Sequence, residues 1–482
     1  MLDFRPVLYI IGILLTTLAA AMCAPLMADL VVGHPDWQVF AGSAGLTAFV
    51  GITLLLTTMS PPARLSVRQA FILTTTSWLA LTLFAALPFA FADLELNFTD
   101  AFFEAMSGLT TTGSTVITTL DTAPSGILLW RAILQWLGGI GIIVMSIAIL
   151  PMLKIGGNQL FRTESSDSSD KVLPRVAQVA SGVGFVYLAL TAACAALLWL
   201  TGLNGFDAIA HAMTTIATGG FSTRDGSVSA FANPAAELII TGFMLMGALP
   251  FVLYLQAVRG KPSSLFRDRQ VRWFFCIVIF FVIAVALPHH ANNDIGIGRA
   301  FRESAFNVIS IMTGTGYSSA NYAAWGAFAT GVFFFIMFIG GCAGSTTCSI
   351  KIFRYQVLYQ TAKVQMKHLI RPHGIFIATF NGKPITDEVE NSVMSFFFLF
   401  MLTFAVLAGL LHFIGLDFLT AISGAATAIC NVGPALGEII GPSGSFATLP
   451  DTAKWVLSAG MLLGRLELFT VLVLFAPWFW RG

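Results

Sequence analysis

Long apolar segments are the feature that most limits how this chain can fold. Only 10% of its residues are charged, whereas soluble domains carry about 25%. A helix that crosses a bilayer needs about 20 largely apolar residues. Ten segments meet this need: 7–32, 37–59, 70–92, 126–150, 176–200, 235–258, 273–288, 322–350, 392–416 and 453–480. The sequence therefore predicts an all-α polytopic membrane protein with ten transmembrane helices.

The basic residues indicate how these helices are oriented. Most of the 25 Lys and Arg residues fall in connections on the side of the two termini, among them Arg64, Lys154, Arg162, Lys171 and Arg267. Cytoplasmic loops of membrane proteins are enriched in Lys and Arg. We therefore expect both termini to be cytoplasmic. The net charge of +1 gives no reason to expect a nucleic-acid partner.

Four connections on the predicted outer side are longer than turns. They are residues 93–125, 201–234, 289–321 and 417–452. Each contains an apolar stretch that is too short to span the membrane but long enough for a re-entrant helix. Each stretch is preceded by an acidic residue, which we expect to begin a helix because the helix dipole favours negative charge there. These acids are Asp100, Asp207, Glu303 and Asp417.

A short motif follows the apolar stretch in all four connections. Its shared core is Thr or Val followed by Gly, in Thr112-Gly113, Thr218-Gly219, Thr315-Gly316 and Val432-Gly433. One Thr-Gly pair would more often be a tight turn or a helix-packing position. Four copies, each between two spans, predict four span–pore-loop–span repeats around one pseudo-fourfold pore, with two extra N-terminal transmembrane helices.

The repeats predict domain boundaries and a chemistry. We expect an N-terminal two-helix unit at 1–62 and pore repeats at 63–160, 161–262, 263–384 and 385–482. Non-helical backbone at membrane depth must line a cavity or be buried in protein. Glycine permits backbone angles that point successive carbonyl groups the same way. Four such strands would form rings of carbonyl oxygens that replace the water shell of a dehydrated cation.

Several motifs together resemble the TrkH/KtrB/HKT superfamily of potassium transporters, most closely the bacterial TrkH branch. Besides the four loops, they are QWLGGIGIIV at 135–144, GGCAGSTTCSIK at 340–351 and GRLELFT at 464–470. The resemblance covers essentially the whole chain. It implies potassium-selective uptake across a bacterial inner (plasma) membrane through a channel-like pore.

The resemblance also implies which residues hold the ion. The filter residues would be Thr111, Thr112, Gly113, Ala217, Thr218, Gly219, Gly314, Thr315, Gly316, Asn431, Val432 and Gly433. Family members with Ser at the first glycine tend to favour sodium, so Gly113 points to potassium. The fourth loop departs most from Thr-Gly. Potassium would be cargo at these residues, and no cofactor is expected.

The second half of segment 322–350 predicts a gate. Its glycines and β-branched threonines disfavour a helix, and irregular backbone there must face the pore or be covered. A loop containing Gly341, Gly344, Ser345 and Thr346, together with Arg465, would close the pore below the filter. The alternative is local: Arg465 pairs with Glu467, and the glycines serve helix packing.

Partners follow from the resemblance. They would be a second copy of the chain, forming a homodimer with two pores, and a ring of cytosolic TrkA-like nucleotide-binding regulatory subunits. This chain has no convincing GxGxxG or Walker motif of its own. Residues 353–371 carry Arg354, Lys363, Lys367 and Arg371, which would bind membrane lipid head groups or the cytosolic subunit, and we favour the subunit.

Other polar residues have simpler interpretations. Arg131 is expected to snorkel to the interface, and His211 to have a packing or hydrogen-bonding role rather than proton sensing. Glu104 and Glu303 would either raise the local cation concentration or cap their helices.

Two other functions remain open at this point. An alternating-access cation symporter coupled to sodium or protons often shows inverted repeats, whereas these four repeats share one order. An enzyme is not expected, because we find no HExxH and no nucleophile with a base nearby in sequence.

Overall fold

The computed structural model describes residues 3–59, 65–148 and 172–481. Arg64, Lys154, Arg162 and Lys171 lie outside these residues. Within them, seven helices are long and apolar enough to cross a membrane. They are Arg5–Val32, Trp37–Thr57, Val67–Ala85 with its continuation Leu87–Phe91, Ser125–Ala148, Val172–Leu200, Arg269–Asn293 and Asp387–Phe413.

Two further predicted spans are helices broken near their middle. Pro234–Gly247 and Phe251–Val258 meet at 94°, and Asp451–Arg465 meets Phe469–Phe475 at 107°. Pro250 at the first break cannot donate a backbone hydrogen bond, which favours interruption of a helix. At the second break Glu467 and Leu468 both have left-handed backbones, with φ of 57° and 52°. Each break leaves backbone polar groups free to bond outside the helix.

The predicted span at 322–350 is not a continuous helix. Its helical part is Ala327–Ile336, which has ten residues. At 1.5 Å per residue this is about 15 Å, roughly half the hydrocarbon thickness. The chain then leaves the helix shortly before Gly340, where glycines and hydroxyl residues begin. The expected loss of helix in the second half of this segment is therefore confirmed, whereas the full-length span is wrong.

Each of the four long connections contains the expected short helix. These four pore helices are Phe98–Leu109, Gly205–Ile216, Ile297–Met312 and Phe418–Cys430. Asn97 and Asn204 accept hydrogen bonds from the backbone N–H of Asp100 and Asp207, which lie in the first turn, and Asp417 caps the fourth helix itself. These are the positions that the helix dipole favours for acids.

Glu303 is the exception among the four acids. The third pore helix begins at Ile297 after Gly296, without a side-chain cap. Glu303 therefore lies well inside this helix, and the prediction that it begins the helix is wrong. Its carboxylate instead accepts from Arg299 Nε at 2.6 Å and lies 3.2 Å from His289 Nε2. These partners account for a buried carboxylate away from the helix terminus.

The N-terminal helices pack against the first repeat. Leu18, Met22 and Phe40 share an apolar core with Phe89 and Trp130. A larger core joins the pore repeats to one another. The remaining elements are the helices Ser263–Arg267, Ile352–Ile370 and Pro477–Arg481, the 3-10 turns Ser227–Phe231 and Tyr322–Ala324, and a hairpin of Thr379–Phe380 with Lys383–Pro384.

Candidate ion-binding site

The four pore loops surround one axis. A Cβ added to Gly113 would collide with the carbonyl oxygen of Gly219 in the next repeat, and one added to Gly220 would collide with that of Thr315. In the same way, Gly316 lies against the carbonyl of Val432, and Gly433 lies against that of Thr112. The four contacts close a ring in the order of the repeats. The glycines are required because the neighbouring strand's carbonyl occupies the space of a side chain.

This ring corrects the predicted register of the second loop. The backbone N–H groups that bond back into their pore helices are at equivalent positions, and they belong to Thr112, Gly219, Thr315 and Val432. Gly219 therefore corresponds to Thr112, and Gly220 corresponds to Gly113. The segment equivalent to Thr111–Gly113 is Thr218–Gly220, so Ala217 lies one position too early. Two adjacent glycines made both alignments possible from the sequence.

The loop backbone alternates in handedness. Thr111 and Gly113 have positive φ values of 53° and 89°, and Thr112 between them does not. The other three loops repeat this alternation. Their positive-φ pairs are Thr218 and Gly220, Gly314 and Gly316, and Asn431 and Gly433. Alternating left- and right-handed residues turn successive peptide groups towards the same side. The predicted rings of carbonyl oxygens need such a backbone, in which successive carbonyl groups point the same way.

Side chains brace the ring from behind. Gln135 donates from Nε2 to the Gly219 carbonyl at 2.6 Å and accepts from the Phe221 N–H at 3.0 Å. Ser114 donates to the carbonyl of Gly433 at 2.9 Å, which joins the first loop to the fourth. Asn431 donates to Thr112 Oγ1 and to the carbonyl of Met461, both at 2.9 Å. The loops are thus held by hydrogen bonds to each other and to the helices behind them.

A buried ion pair lies behind the first and second loops. Arg131 Nε is 2.8 Å from Glu104 Oε1, and the two side chains are 1% and 0% exposed. Arg131 also donates to the carbonyl of Ser222 at 2.6 Å and lies 3.9 Å from the Phe221 ring centre. Glu104 accepts from the Val116 N–H at 2.9 Å. The pair therefore clamps the strands that follow both loops.

Two predictions about this pair are wrong. Arg131 does not snorkel to the interface, because a carboxylate, a carbonyl and an aromatic face satisfy its charge inside the protein. Glu104 neither caps its helix nor offers a free charge to cations, because Arg131, Thr115 and Val116 occupy its oxygens. Because Glu104 and Arg131 are 27 residues apart, the local sequence around each gave no indication that they pair.

His211 has the hydrogen-bonding role predicted for it. Its Nδ1 lies 2.9 Å from the carbonyl of Asp207, and its Nε2 lies 3.0 Å from Ser222 Oγ. Its ring stacks on Tyr317 with centres 5.8 Å apart. Asp207 is in turn bound by Arg224 Nη2 at 2.9 Å. These contacts tie the second pore helix to the strands after the second and third loops.

The segment that holds the predicted gate residues contacts the second pore loop and the end of the fourth pore helix. Thr346 Oγ1 is 3.1 Å from Thr218 Oγ1 and donates to the carbonyl of Gly247 at 3.0 Å. Ser349 donates to the carbonyl of Cys430 at the end of the fourth pore helix, at 3.1 Å. The loop is closed on itself, since Gly340 N–H donates to the Ile350 carbonyl at 3.0 Å. We call residues 338–351 the crossing loop.

Within the crossing loop, the four singled-out residues have different surroundings. A Cβ at Gly341 would meet Thr347 Oγ1 at 2.8 Å and the Ala248 carbonyl at 2.9 Å, so this glycine is packed. Gly344 has φ of 76° and faces open space. Its carbonyl accepts from the Phe251 N–H at 2.9 Å, which ties the loop to the first broken helix. Ser345 is buried and donates to the Cys342 carbonyl at 2.6 Å.

Arg465 is buried and contacts the crossing loop. It donates to the carbonyl of Thr346 at 3.3 Å and to that of Gly138 at 2.7 Å, and its Nη1 lies 2.7 Å from Cys348 Sγ. The alternative pair with Glu467 is not formed. Glu467 instead lies 2.5 Å from Arg354 Nη2, at the start of helix Ile352–Ile370. The left-handed turn at Glu467 directs the side chains of Arg465 and Glu467 to different partners.

Comparison with known proteins decides the family. Residues 36–481 match the TrkH family model, which is described as cation transport protein. The chain belongs to the TrkH family. It is therefore a transport protein rather than an enzyme.

Relatives within the TrkH family cover the whole chain. It is 45% identical to the Trk system potassium uptake protein TrkI of Halomonas elongata, over 99% of this chain and 97% of that protein. It is 34% identical to the TrkH potassium uptake protein of Escherichia coli over the full length of both. The crystal structure of the potassium transporter TrkH from Vibrio parahaemolyticus superposes with a TM-score of 0.92 at 36% identity, with both chains fully covered.

Sequence reasoning missed three contributors to the TrkH-family site. Gly220 was hidden by the ambiguous Gly-Gly pair. Gln135 stood in the quoted QWLGGIGIIV motif without an assigned role, although a buried amide in a membrane span is itself a signal. Ser114 follows the first glycine directly, and its partner Gly433 lies in the last repeat.

Proposed function

We propose that this chain takes up potassium across the bacterial inner membrane through the ring formed by its four pore loops. The observation that carries the proposal is the closed cycle of glycine–carbonyl contacts, from Gly113 to Gly219 and onward to Gly433 and Thr112. Carbonyl oxygens in a ring are suited to a weakly hydrated alkali cation. Relatives that match over the full length are potassium uptake proteins, which supports potassium as the cargo.

The filter of this proposal uses the corrected register. It consists of Thr111–Gly113, Thr218–Gly220, Gly314–Gly316 and Asn431–Gly433. The middle residue of each triplet supplies a carbonyl that faces the glycine of the preceding repeat. Gly113 is retained at the position where Ser would favour sodium. The filter is therefore assigned to potassium.

The crossing loop is the proposed gate below this filter. Contact between Thr346 and Thr218 places it against the second pore loop. Arg465 contributes a buried positive charge beside it, and such a charge is an electrostatic barrier to a cation. The loop supplies the steric barrier. Opening requires the loop to leave these contacts.

A cytosolic nucleotide-binding subunit of the TrkA type is the proposed operator of this gate. Helix Ile352–Ile370 continues directly from the crossing loop, and the Ile352 N–H donates to the Gly341 carbonyl at 3.1 Å. Arg354 in the same helix holds Glu467, which lies next to the turn after Arg465. A partner that moved this helix would pull on both parts of the gate. We also propose a homodimer with one pore in each chain, and cytoplasmic termini.

The proposed function is tested by measuring growth on low potassium and ion flux in liposomes. The chain is expressed in a bacterium that lacks potassium uptake, with and without a TrkA-like subunit, and purified protein is placed in liposomes. We expect growth on low potassium and flux of potassium or rubidium that exceeds sodium flux under a simple ion gradient. Uptake that required a sodium or proton gradient would instead support a symporter. Absence of selective potassium flux in both systems would contradict the proposed function.

A further inference from the structure

In the second quadrant, a buried side-chain amide from the helix behind the loop donates to a carbonyl of the pore ring. Gln135 in helix Ser125–Ala148 is 0% exposed, and its Nε2 lies 2.6 Å from the Gly219 carbonyl oxygen. That carbonyl is one of the four that face a ring glycine. Among the described residues, the equivalent carbonyls of Thr112, Thr315 and Val432 accept no such hydrogen bond. The ring is therefore asymmetric in its hydrogen bonding.

The same amide explains why the second loop has two glycines. A Cβ on Gly219 would lie 2.5 Å from Gln135 Oε1 and 2.8 Å from Nε2, whereas the other loops carry Thr, Thr and Val at this position. The second glycine, Gly220, makes room for the Thr315 carbonyl. Gly219 thus leaves space for the Gln135 side chain, and Gly220 leaves space for the neighbouring carbonyl of the ring. The two glycines have separate roles.

The amide holds the loop at two points. Gln135 also accepts from the Phe221 N–H at 3.0 Å, so it spans the segment from Gly219 to Phe221 and fixes the left-handed Gly220 between them. This leaves the Gly219 carbonyl little freedom to rotate. A carbonyl group that is free to move inward would coordinate the smaller sodium ion. A carbonyl group that is held in place favours the larger potassium ion. A shared lone pair also weakens the field of that oxygen.

We propose that Gln135 is a specificity-determining positioning residue of the pore, which maintains discrimination of potassium from sodium by restraining the Gly219 carbonyl. The inference rests on the proposed function and assigns one quadrant of the ring a side-chain restraint. It does not require Gln135 to touch the ion. Its effect is therefore on the ratio of fluxes rather than on whether the pore conducts.

The experiment compares potassium and sodium flux in liposomes at matched protein level. Gln135→Met keeps a similar shape without either hydrogen bond, and we expect the potassium-to-sodium flux ratio to fall by roughly two- to tenfold, the equilibrium effect of one net hydrogen bond. The control is Trp136→Phe on the same helix as Gln135, which removes a half-buried N–H donor to Thr191 of helix Val172–Leu200. Its ratio should equal that of the wild type.

A second variant separates restraint from packing. Gln135→Ala with Gly219→Ala refills part of the vacated space with a new Cβ but restores no hydrogen bond. We expect its flux ratio to stay low. A wild-type ratio in Gln135→Met, or recovery of that ratio in the double variant, would overturn the proposal. Absence of selective flux in the unmodified chain would instead refute the proposed function, so the two failures are distinguishable.

Discussion

The hydroxyl oxygens of Thr218 and Thr346 lie 3.1 Å apart, which joins the second pore loop to the crossing loop. Thr218 belongs to the proposed filter, and Thr346 belongs to the proposed gate. The proposed filter and the proposed gate are therefore adjoining segments. The effect of a variant on the proposed filter can be distinguished from its effect on the proposed gate only when ion flux and ion preference are both measured.

Weakening the gate should raise basal flux. We expect Arg465→Ala, or deletion of Gly344–Thr346, to increase potassium flux in liposomes severalfold without a cytosolic partner, because each removes a barrier below the filter. The potassium-to-sodium ratio should be preserved. Arg259→Ala, at an exposed arginine, is the control. Basal flux that is unchanged in both variants would leave the crossing loop as a packing element.

Substitution of a ring glycine should lower selectivity. Gly113→Ser and Gly220→Ser each place a Cβ against the carbonyl of the next repeat, at φ of 89° and 75°. A left-handed backbone costs a non-glycine residue about 1–2 kcal/mol, in addition to the collision. We expect the potassium-to-sodium ratio to fall in both.

The matched control for the ring glycines is Gly242→Ala, where an added Cβ meets nothing within 4 Å. This variant should retain wild-type selectivity. If Gly220→Ser also retained it, the corrected register of the second loop would be wrong.

Breaking the buried pair should destabilise the protein. Arg131→Met leaves the Glu104 carboxylate buried without its partner, a change that typically costs about 3–5 kcal/mol. We expect a marked loss of thermal stability in detergent. Replacing both residues, Glu104→Gln with Arg131→Met, should recover much of it.

Asp121 offers the comparison for that pair, because its side chain is 51% exposed and its partner Arg224 is 36% exposed. Exposed pairs contribute about 0–1 kcal/mol, so Asp121→Ala should have a small effect on the same melting curve. Equal losses of thermal stability in Arg131→Met and Asp121→Ala would show that burial of the first pair adds nothing to its contribution.

Cysteine labelling should establish the orientation. Single cysteines near Asp36, Asp121 and Arg224 are expected to react with impermeant thiol reagents from outside the cell, and cysteines near Lys171 and Arg267 are not. The opposite pattern would invert the chain in the membrane and reverse the side that the pore helices face.

Local patterns predicted the four pore helices well. Each has an apolar stretch of limited length and an early polar residue. Three of them directly follow a residue whose side chain caps the helix, namely Asn97, Asn204 and Asp417. The third helix begins at Ile297, after Gly296, without a side-chain cap, so the prediction that an acidic residue begins the helix failed at Glu303. Its neighbours Arg299 and His289 decided its position instead.

Contacts between distant segments could not be predicted in the same way. The pairs Glu104–Arg131 and Arg354–Glu467 join residues that are 27 and 113 positions apart, and the second pair joins two different repeats. The register at Gly219 and Gly220 depends on which neighbour approaches each glycine, and the local sequence contains no such information. The helix breaks within residues 234–258 and 451–475 could not be predicted from hydropathy. Hydropathy depends on composition and does not show where the backbone changes direction.

The ring closes with all four of its quadrants encoded in one polypeptide. In a channel built from identical subunits, a single codon change alters every quadrant at once. Here a change at Gly113 leaves Gly220, Gly316 and Gly433 as they were. In the proposed filter, ion preference can therefore evolve by steps of one quarter of the ring. Each quadrant can also acquire its own supporting residues, as the second has with Gln135.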